Sequence, residues 1–274
     1  MKVQNNDTAS ADLLIVGAGV NFPEQLTAEA LEALTCCEAI FTIVPPASLG
    51  QLPSHVRQKC VSLWPVYEAG RKRRKNYEAA VEAIWQRIAA GQTIAYLTPG
   101  HPLVFDSVSE GLRLRAAADG FRVRVVPGIS CIDTILADVG YEPANGLVVH
   151  EATAVVQQKI PLDARFAFIL LQLGVFGTDY ARLSGEEPLP DLAPLQEHVR
   201  TYYPSGMAVA YVRSRWGASS PGSVTWTKVD SMVDIPKELV DGTSLFIPRA
   251  DYRGLSCLPW QAVMPSTAKQ DPPA

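Results

Sequence analysis

The sequence has no stretch of the roughly 20 consecutive apolar residues that a membrane-spanning helix needs. Its first residues are polar and contain no apolar core of the kind that marks a secretory signal peptide. It also has no excess of positive charge, since 28 Asp and Glu residues outnumber 24 Lys and Arg residues. We therefore expect a cytoplasmic protein that has neither a membrane nor a nucleic acid as its partner.

Cysteine and histidine are few and scattered. The four histidines show no HExxH pattern, and the five cysteines show no CxxC spacing; the cysteines are Cys36, Cys37, Cys60, Cys131 and Cys257. An odd number of cysteines without a secretory signal indicates reduced thiols. The sequence therefore predicts no metal site.

The first glycine-rich segment lacks the two common nucleotide-binding motifs. The apolar run 13–16 leads into Gly17-Ala18-Gly19, which is typical of a buried strand that enters a tight turn. The dinucleotide fingerprint GxGxxG would need glycine where the sequence has Phe22. The phosphate-binding pattern GxxxxGK[ST] is absent as well.

The composition, with 47% apolar and 19% charged residues in a chain of 274, predicts a folded protein of about two domains. Strands alternate with helices in the first half, which favours a parallel α/β domain over 12–130. Its strands are predicted at 13–16, 39–44, 93–97 and 122–126, and its helices after a Thr27 cap, at 73–90 and at 109–119. Helices predicted at 132–139 and 192–203, and strands at 146–150, 166–173, 207–213, 225–229 and 243–247, indicate an α/β domain with a mixed sheet over 131–250. The remainder, 251–274, is predicted to be a tail.

Several further segments follow the glycine turn in a fixed order. They are Pro99-Gly100-His101-Pro102-Leu103-Val104-Phe105, Pro127-Gly128-Ile129-Ser130 and the run IDTILADVG at 132–140. Together with IVGAG at 15–19 and LTAEAL at 26–31, they resemble the tetrapyrrole-methylase superfamily of S-adenosylmethionine-dependent methyltransferases. The resemblance covers residues 12–250 and implies a two-domain α/β fold.

The resemblance also implies a cofactor, S-adenosylmethionine, which leaves as S-adenosylhomocysteine. A sulfonium zwitterion with an adenine suits backbone polar groups and an apolar slot better than a phosphate cradle. In the family the cofactor lies in a cleft between the two domains. The positions that correspond here are Pro99, Gly100, His101, Val104, Phe105 and Ser130 in the first domain, and Cys131, Gln172, Tyr211, Val212, Thr243 and Ser244 in the second.

One segment points to a branch of this superfamily. Tyr67-Glu-Ala-Gly-Arg-Lys-Arg73-Arg-Lys-Asn-Tyr77 is similar to the peptide backbone α-N-methyltransferases of borosin biosynthesis, and the GPGD of the uroporphyrinogen and precorrin branches is missing. The resemblance implies that Tyr67, Arg73 and Tyr77 are catalytic. It further implies a homodimer and a precursor peptide or small precursor protein as substrate. Because the segment after residue 247 is short and rich in proline, we expect that substrate to be supplied in trans.

The chemistry of amide methylation agrees with this assignment. An amide nitrogen is a poor nucleophile, so its proton must be removed or its carbonyl strongly polarised. Arg73 and Tyr77 are four residues apart and therefore lie on one face of a helix. A guanidinium beside a phenol favours the phenolate, and it can also stabilise negative charge on the amide oxygen. Tyr67 could complete the group.

Other interpretations stay open at this level. The basic run 71–75 could be a solvated helix face, although positive charge at a helix start is unfavourable and suggests a partner there. The protein could instead be a tetrapyrrole C-methyltransferase. A third possibility is a cofactor- or peptide-binding member without turnover, because Pro99 and Leu103 depart from the branch pattern around GHP.

Overall fold

A computed structural model describes residues 11–180, 182, 188–215, 221–233 and 242–250 of the chain. The predicted tail and Cys257 lie outside these residues. The chain falls into two compact units that are interleaved in sequence. The first unit holds the described residues of Met1–Thr134, Gly177–Leu189 and Ser214–Gly222. The second unit holds those of Ile135–Phe176, Pro190–Arg213 and Ser223–Ala274.

The first unit contains a five-stranded sheet in which all neighbouring strands are parallel, as predicted. The strands are β1 (Leu13–Gly17), β2 (Ala39–Thr42), β3 (Cys60–Ser62), β4 (Ile94–Thr98) and β5 (Val123–Val126). Their order is β3-β2-β4-β1-β5, so β1 lies between β4 and β5. The carboxyl ends of these three strands therefore lie side by side at one edge of the sheet.

Helices cover both faces of this sheet. They are α1 (Ala28–Cys36), α2 (Pro46–Leu49), α3 (Ser54–Arg57), α4 (Arg73–Ala89) and α5 (Ser107–Asp119). Leu14 of β1 belongs to the core that contains Leu34 of α1. Its neighbour Ile15 belongs to the opposite core, with Ile84 of α4 and Leu112 of α5. Both faces of the strand are buried, which is why its sequence is apolar without alternation.

Local signals set several element boundaries as predicted. The Thr27 hydroxyl accepts a hydrogen bond from the Ala30 amide at 3.0 Å and caps α1. Gly120 ends α5 in the left-handed conformation, with φ at 80°. The strand predicted over 39–44 instead ends at Thr42, because its hydroxyl accepts from the Val44 amide at 3.0 Å and forms a turn. The short elements α2, α3 and β3 were not predicted.

The second unit contains the mixed sheet that the sequence predicts, in the order β6-β7-β10-β8-β9. Strands β6 and β7 are parallel, and the other neighbours are antiparallel. The strands are β6 (Leu147–Glu151), β7 (Ala167–Leu171), β8 (Ala208–Arg213), β9 (Ser223–Lys228) and β10 (Thr243–Ile247). The helix α6 (Cys131–Val139) precedes them, α7 (Ala152–Gln157) follows β6, and α8 (Ala193–Arg200) precedes β8. Among the described residues, no helix is both long enough and apolar enough to cross a bilayer.

Candidate functional site

Three glycines meet where the carboxyl ends of β1, β4 and β5 lie side by side. Gly17 ends β1, Gly100 follows β4, and Gly128 follows β5. A methyl group on Gly17 would lie 2.5 Å from the Gly128 amide nitrogen and 2.7 Å from the Gly100 carbonyl oxygen. Gly19 and Gly100 also exchange backbone hydrogen bonds of 3.2 and 2.9 Å. The glycine turn and the loops after β4 and β5 are therefore packed backbone against backbone.

The loop 99–105 folds back on itself through His101. Its Nδ1 atom accepts a hydrogen bond from the Leu103 amide at 3.0 Å. The carbonyl oxygen of His101 accepts from the Val104 amide at 3.0 Å. Pro99 joins this turn to β4. The loop contains no lysine or arginine, so it is not a cationic phosphate cradle.

Apolar side chains are exposed on the loops after β4 and β5. Leu103, Phe105 and Ile129 are 50%, 46% and 38% exposed. Phe105 also has a φ of 54°, in the left-handed region that residues other than glycine seldom occupy. Strained backbone of this kind is concentrated at functional sites. These loops therefore offer an apolar wall next to close-packed backbone.

Ser130 caps α6, and its hydroxyl is already engaged. Both its hydroxyl and its amide donate to the Asp133 carboxylate, at 2.6 and 2.7 Å, and the Asp133 amide donates to the hydroxyl oxygen at 3.3 Å. This reciprocal pattern is a capping box, here with aspartate in the third position. Cys131 is the first residue of the helix, and burial raises the pKa of its thiol. The proton of the Ser130 hydroxyl is therefore used inside the chain.

The positions implied in the second unit lie mostly on β8 and β10, which are neighbouring strands. Val212 pairs with Ser244 in the antiparallel register. Tyr211 belongs to the core under α7 and α8, and its hydroxyl donates to the Met232 carbonyl oxygen. Thr243 is buried, and its hydroxyl oxygen has no hydrogen-bond partner among the described residues. Tyr211 is thus a core residue, whereas Thr243 has an unused polar group.

Gln172 lies directly after β7 and is exposed. Its φ is 67°, so it also occupies the left-handed region. Nothing in its sequence neighbourhood, a continuous apolar strand, indicates this conformation.

The three residues predicted to be catalytic belong to one region of the first unit. The rings of Tyr67 and Tyr77 lie edge to face, with centroids 6.3 Å apart. Trp64 extends the cluster, with its ring 5.9 Å from that of Tyr67. Arg73 begins α4, one turn before Tyr77 on the same helix. The structure thus brings Tyr67 to Tyr77 from a segment that precedes the helix.

Arg73 is held by a distant segment of the chain. Its Nη2 atom donates to the Thr178 carbonyl oxygen at 2.7 Å, and its amide donates to the Asp179 carbonyl oxygen at 2.7 Å. An isolated β-bridge between Lys72 and Tyr180 continues this contact. The Nε atom of Arg73 is buried without a hydrogen-bond partner among the described residues. The guanidinium is therefore anchored through Nη2, and its buried Nε–H is left unused.

Three other basic residues of the run 71–75, which are Arg71, Arg74 and Lys75, have ordinary surface partners. Arg74 and Lys75 both pair with Glu78, at 2.9 and 2.7 Å. Arg71 pairs with Glu68 at 2.9 Å. The two pairs with Glu78 lie within α4 and contribute only about 0.3–0.5 kcal/mol each, and the exposed pair before the helix contributes about 0–1 kcal/mol. The interpretation of a solvated basic face therefore fits Arg71, Arg74 and Lys75, but not Arg73.

Burial dominates the electrostatics of the tyrosine cluster. It raises the pKa of Tyr67, and the neighbouring Tyr77 and the Asp106 carboxylate add to the increase. Tyr67 is therefore a protonated hydrogen-bond donor over the physiological range. Tyr96 is fully buried in β4, and burial and the Asp106 carboxylate raise its pKa as well.

Sequence reasoning missed one residue of this region, Asn76. It is completely buried, and its side-chain amide makes hydrogen bonds to both backbone groups of Glu68. In the sequence, Asn76 stands out as a polar residue beside the apolar positions of the predicted helix. The sequence does not show which group it contacts, because that group is a backbone amide of the preceding loop. Within the described residues, no group of three or more His, Cys, Asp or Glu side chains is arranged to hold a metal ion.

Comparison with known proteins identifies the family. Residues 12–213 match the family model of the Tetrapyrrole (Corrin/Porphyrin) Methylases. The fold is also similar to the uroporphyrin-III-C-methyltransferase of Thermus thermophilus, with a TM-score of 0.56, 18% identity, and coverage of 94% of this chain and 98% of that chain. A cobalt precorrin-4 methyltransferase gives a TM-score of 0.59 at 14% identity, over 90% and 98% of the two chains.

Curated relatives come from fungi. One is the methyltransferase/ribosomally synthesized cyclic peptide gymnopeptides precursor of Gymnopus fusipes, 31% identical over 170 residues, which are 61% of this chain and 40% of the relative. Another is a methyltransferase/type II borosin cyclic peptide precursor of Phlebiopsis gigantea, 26% identical over 240 residues, 87% of this chain and 42% of the relative. The chain thus spans about half the length of such relatives or less. Since the family model covers most of the sequence, the chain belongs to the tetrapyrrole (corrin/porphyrin) methylases, a family of methyltransferases.

Proposed function

We propose that this protein is an S-adenosylmethionine-dependent methyltransferase that N-methylates backbone amides of a precursor peptide supplied in trans. The observation that carries the proposal is the convergence of Tyr67, Arg73 and Tyr77. Two tyrosine rings lie 6.3 Å apart, and an arginine with an unused buried donor lies one helical turn away. The relatives whose names include a cyclic peptide precursor support a peptide as substrate.

The residues at the carboxyl edge of the first sheet fit the cofactor. The glycine junction brings the loops after β4 and β5 close together, and Leu103, Phe105 and Ile129 supply apolar surface without cationic side chains. An apolar surface of this kind suits an adenine and a sulfonium better than a phosphate. When it is bound, S-adenosylmethionine supplies an electrophilic methyl group. In the second unit, Thr243 has a buried hydroxyl oxygen without a hydrogen-bond partner among the described residues.

The chain's own residues prepare the amide for methylation. Tyr67 stays protonated because burial raises its pKa, so it donates a hydrogen bond to the amide oxygen. We assign the stabilisation of the negative charge that develops on that oxygen to the Nε–H of Arg73, which has no hydrogen-bond partner among the described residues. We assign Tyr77 as the acceptor of the proton that leaves the amide nitrogen. The two tyrosines thus have different roles, one as donor and one as base.

This division of roles narrows the expectation from sequence. The sequence predicts that Arg73 favours a phenolate and also stabilises charge on the amide oxygen, whereas in the structure its Nη2 atom donates to the Thr178 carbonyl oxygen. The buried Nε atom of the guanidinium has no hydrogen-bond partner among the described residues. Arg73 therefore serves the amide oxygen more directly than it serves a phenol. A homodimer and a cytoplasmic location stay predictions.

The proposal is tested by mass spectrometry. The full chain is incubated with S-adenosylmethionine and with peptides encoded beside its gene, and intact masses are followed. Increments of one methyl group that tandem spectra assign to backbone nitrogens are the expected result. Increments on the chain itself would show methylation in cis instead. Methylation of uroporphyrinogen, with every peptide unchanged, would overturn the proposal in favour of a tetrapyrrole substrate.

A further inference from the structure

We propose that Asn76 is a positioning residue that sets the place of Tyr67 by holding the backbone of Glu68. The inference rests on the proposed function, since it concerns how the tyrosine pair is assembled. Asn76 touches no reacting group in this scheme and acts through its neighbour.

The side-chain amide of Asn76 makes hydrogen bonds to both backbone polar groups of Glu68. Its Oδ1 atom accepts from the Glu68 amide at 3.2 Å, and its Nδ2 atom donates to the Glu68 carbonyl oxygen at 3.1 Å. Asn76 is 0% exposed, whereas the Glu68 side chain is 66% exposed and pairs with Arg71. The contact therefore depends on the backbone of Glu68 and does not require a particular side chain at position 68.

The contact fixes the segment that carries Tyr67. The Tyr67 amide donates to the Trp64 carbonyl oxygen at 3.1 Å, which closes a turn just before the tyrosine. Asn76 holds the next residue, so the chain is restrained on both sides of Tyr67. Without Asn76, only the preceding turn and ring packing would place the phenol.

The same helix carries Arg73, Asn76 and Tyr77. Asn76 is adjacent to Tyr77 and three residues after Arg73 in α4. A shift of the helix would therefore move Tyr77, Arg73 and Asn76 together. We call the pair of hydrogen bonds from Asn76 to the Glu68 backbone the clamp. This explains why a buried polar residue, costly to bury without partners, lies at this position. Asn76 keeps Tyr67 in register with Tyr77 and Arg73.

The test compares Asn76→Ala with a matched control, Ile88→Ala. Ile88 is buried in the same helix and lies 12 residues further on, about 18 Å along the axis. Both variants lose buried contacts, but only the first releases Glu68. We measure kcat and KM for the peptide, the Kd for S-adenosylmethionine, and the 19F spectrum of fluorotyrosine-labelled protein with the Tyr67 signal assigned through Tyr67→Phe.

Asn76→Ala should lower kcat by about tenfold or more with little change in the cofactor Kd, and should shift the Tyr67 signal. Ile88→Ala should leave both the signal and kcat of the folded protein near wild type. Equal losses of kcat in the two variants, or an unmoved Tyr67 signal in Asn76→Ala, would overturn the inference. If wild-type protein methylates no peptide, the proposed function fails, and the 19F comparison still decides whether Asn76 places Tyr67.

A third variant, Asn76→Asp, distinguishes positioning from simple packing. The introduced carboxyl is isosteric with the amide and can replace its donor only when protonated. Burial raises the pKa of a carboxyl group, so part of the population is protonated at mildly acidic pH. The kcat of Asn76→Asp relative to wild type should therefore rise as the pH falls. A ratio that is flat across the pH range would count against the clamp.

Discussion

The Arg73 guanidinium donates a hydrogen bond to the carbonyl oxygen of Thr178 at 2.7 Å, across 105 residues of sequence. This contact attaches the segment at Thr178–Tyr180 to the start of α4, where the Arg73 amide also donates to Asp179. The helix start thus receives backbone carbonyl oxygens in place of a side-chain cap. One arginine therefore joins a structural contact to the proposed amide-activating group.

Replacing Arg73 by alanine should remove both of these roles. We expect the rate of peptide methylation to fall by about 10²-fold or more, because a donor to the developing oxyanion is lost. Arg74→Ala is the matched control, since Arg74 has the same charge in the same turn and its side chain is 88% exposed. Single-turnover rates on one peptide substrate check the difference. Similar rates for the two variants would refute the role given to Arg73.

Replacing Tyr77 by phenylalanine removes only a hydroxyl group. Folding and cofactor binding should survive, while methylation should fall by about 10²–10⁴-fold because the proton acceptor is lost. Tyr67→Phe should have a smaller effect, because it removes a donor and leaves the base in place. The measurement is the methylation rate as a function of pH. Near-normal rates in Tyr77→Phe would show that another group removes the proton.

Alkaline pH should destabilise the folded protein through its buried phenols. Burial is the main cause that raises the pKa of Tyr67, Tyr96 and Tyr203. The unfolded chain loses these protons near pH 10, whereas the folded chain retains them, so the stabilisation is complete below about pH 10 and is lost as the pH rises above it. Each phenol contributes a slope of about 1.4 kcal/mol per pH unit. The free energy of unfolding, measured with denaturant at several pH values, should fall less steeply with pH above about 10 in Tyr67→Phe than in wild type.

Gly17→Ala should disrupt the glycine junction. The added methyl group would lie 2.5 Å from the Gly128 amide nitrogen, a contact that only a backbone shift can relieve. We expect a loss of about 1–3 kcal/mol or more in the free energy of unfolding, together with loss of cofactor binding. Gly50→Ala is the control, because its nearest neighbour would lie 3.4 Å away and its φ is −57°. Equal stability of the two variants by chemical denaturation would contradict the junction's role.

Phe105 should contribute more to cofactor affinity than to stability. Its ring is 46% exposed, and its backbone occupies the left-handed region that asparagine tolerates better. Phe105→Asn should therefore unfold at the same temperature as wild type or higher, while its Kd for S-adenosylmethionine rises about tenfold, the effect of losing roughly 1.4 kcal/mol of apolar contact. Calorimetric titration and thermal unfolding test the two parts. Unchanged affinity would exclude Phe105 from the cofactor site.

Local sequence patterns determined most of the secondary structure and both sheet types. The apolar run before Gly17, the Thr27 cap and the left-handed Gly120 each act within a few residues, so their signals are complete in the sequence. The motif set also identified the family, because its members are short segments with fixed spacing. The three-residue strand β3 was missed since it is too short to show a periodic pattern.

The tertiary structure alone decided how the polar groups are used. The sequence placed Ser130, Tyr211 and Arg73 among candidate site residues. The fold directs their polar atoms to Asp133, to the Met232 carbonyl oxygen and to the Thr178 carbonyl oxygen. The sequence likewise did not predict the hydrogen bonds between the Asn76 side chain and the Glu68 backbone.

The physical reason is the range of the interactions. Apolar periodicity and capping depend on neighbours along the chain, whereas a buried hydrogen bond depends on whichever group the fold brings within about 3 Å. For Arg73 that group is the carbonyl oxygen of Thr178, far along the chain, and for Asn76 it is the backbone of a loop that has no pattern of its own. The sequence therefore specified the elements and the reactive residue types, and the packing of those elements assigned each polar group its partner.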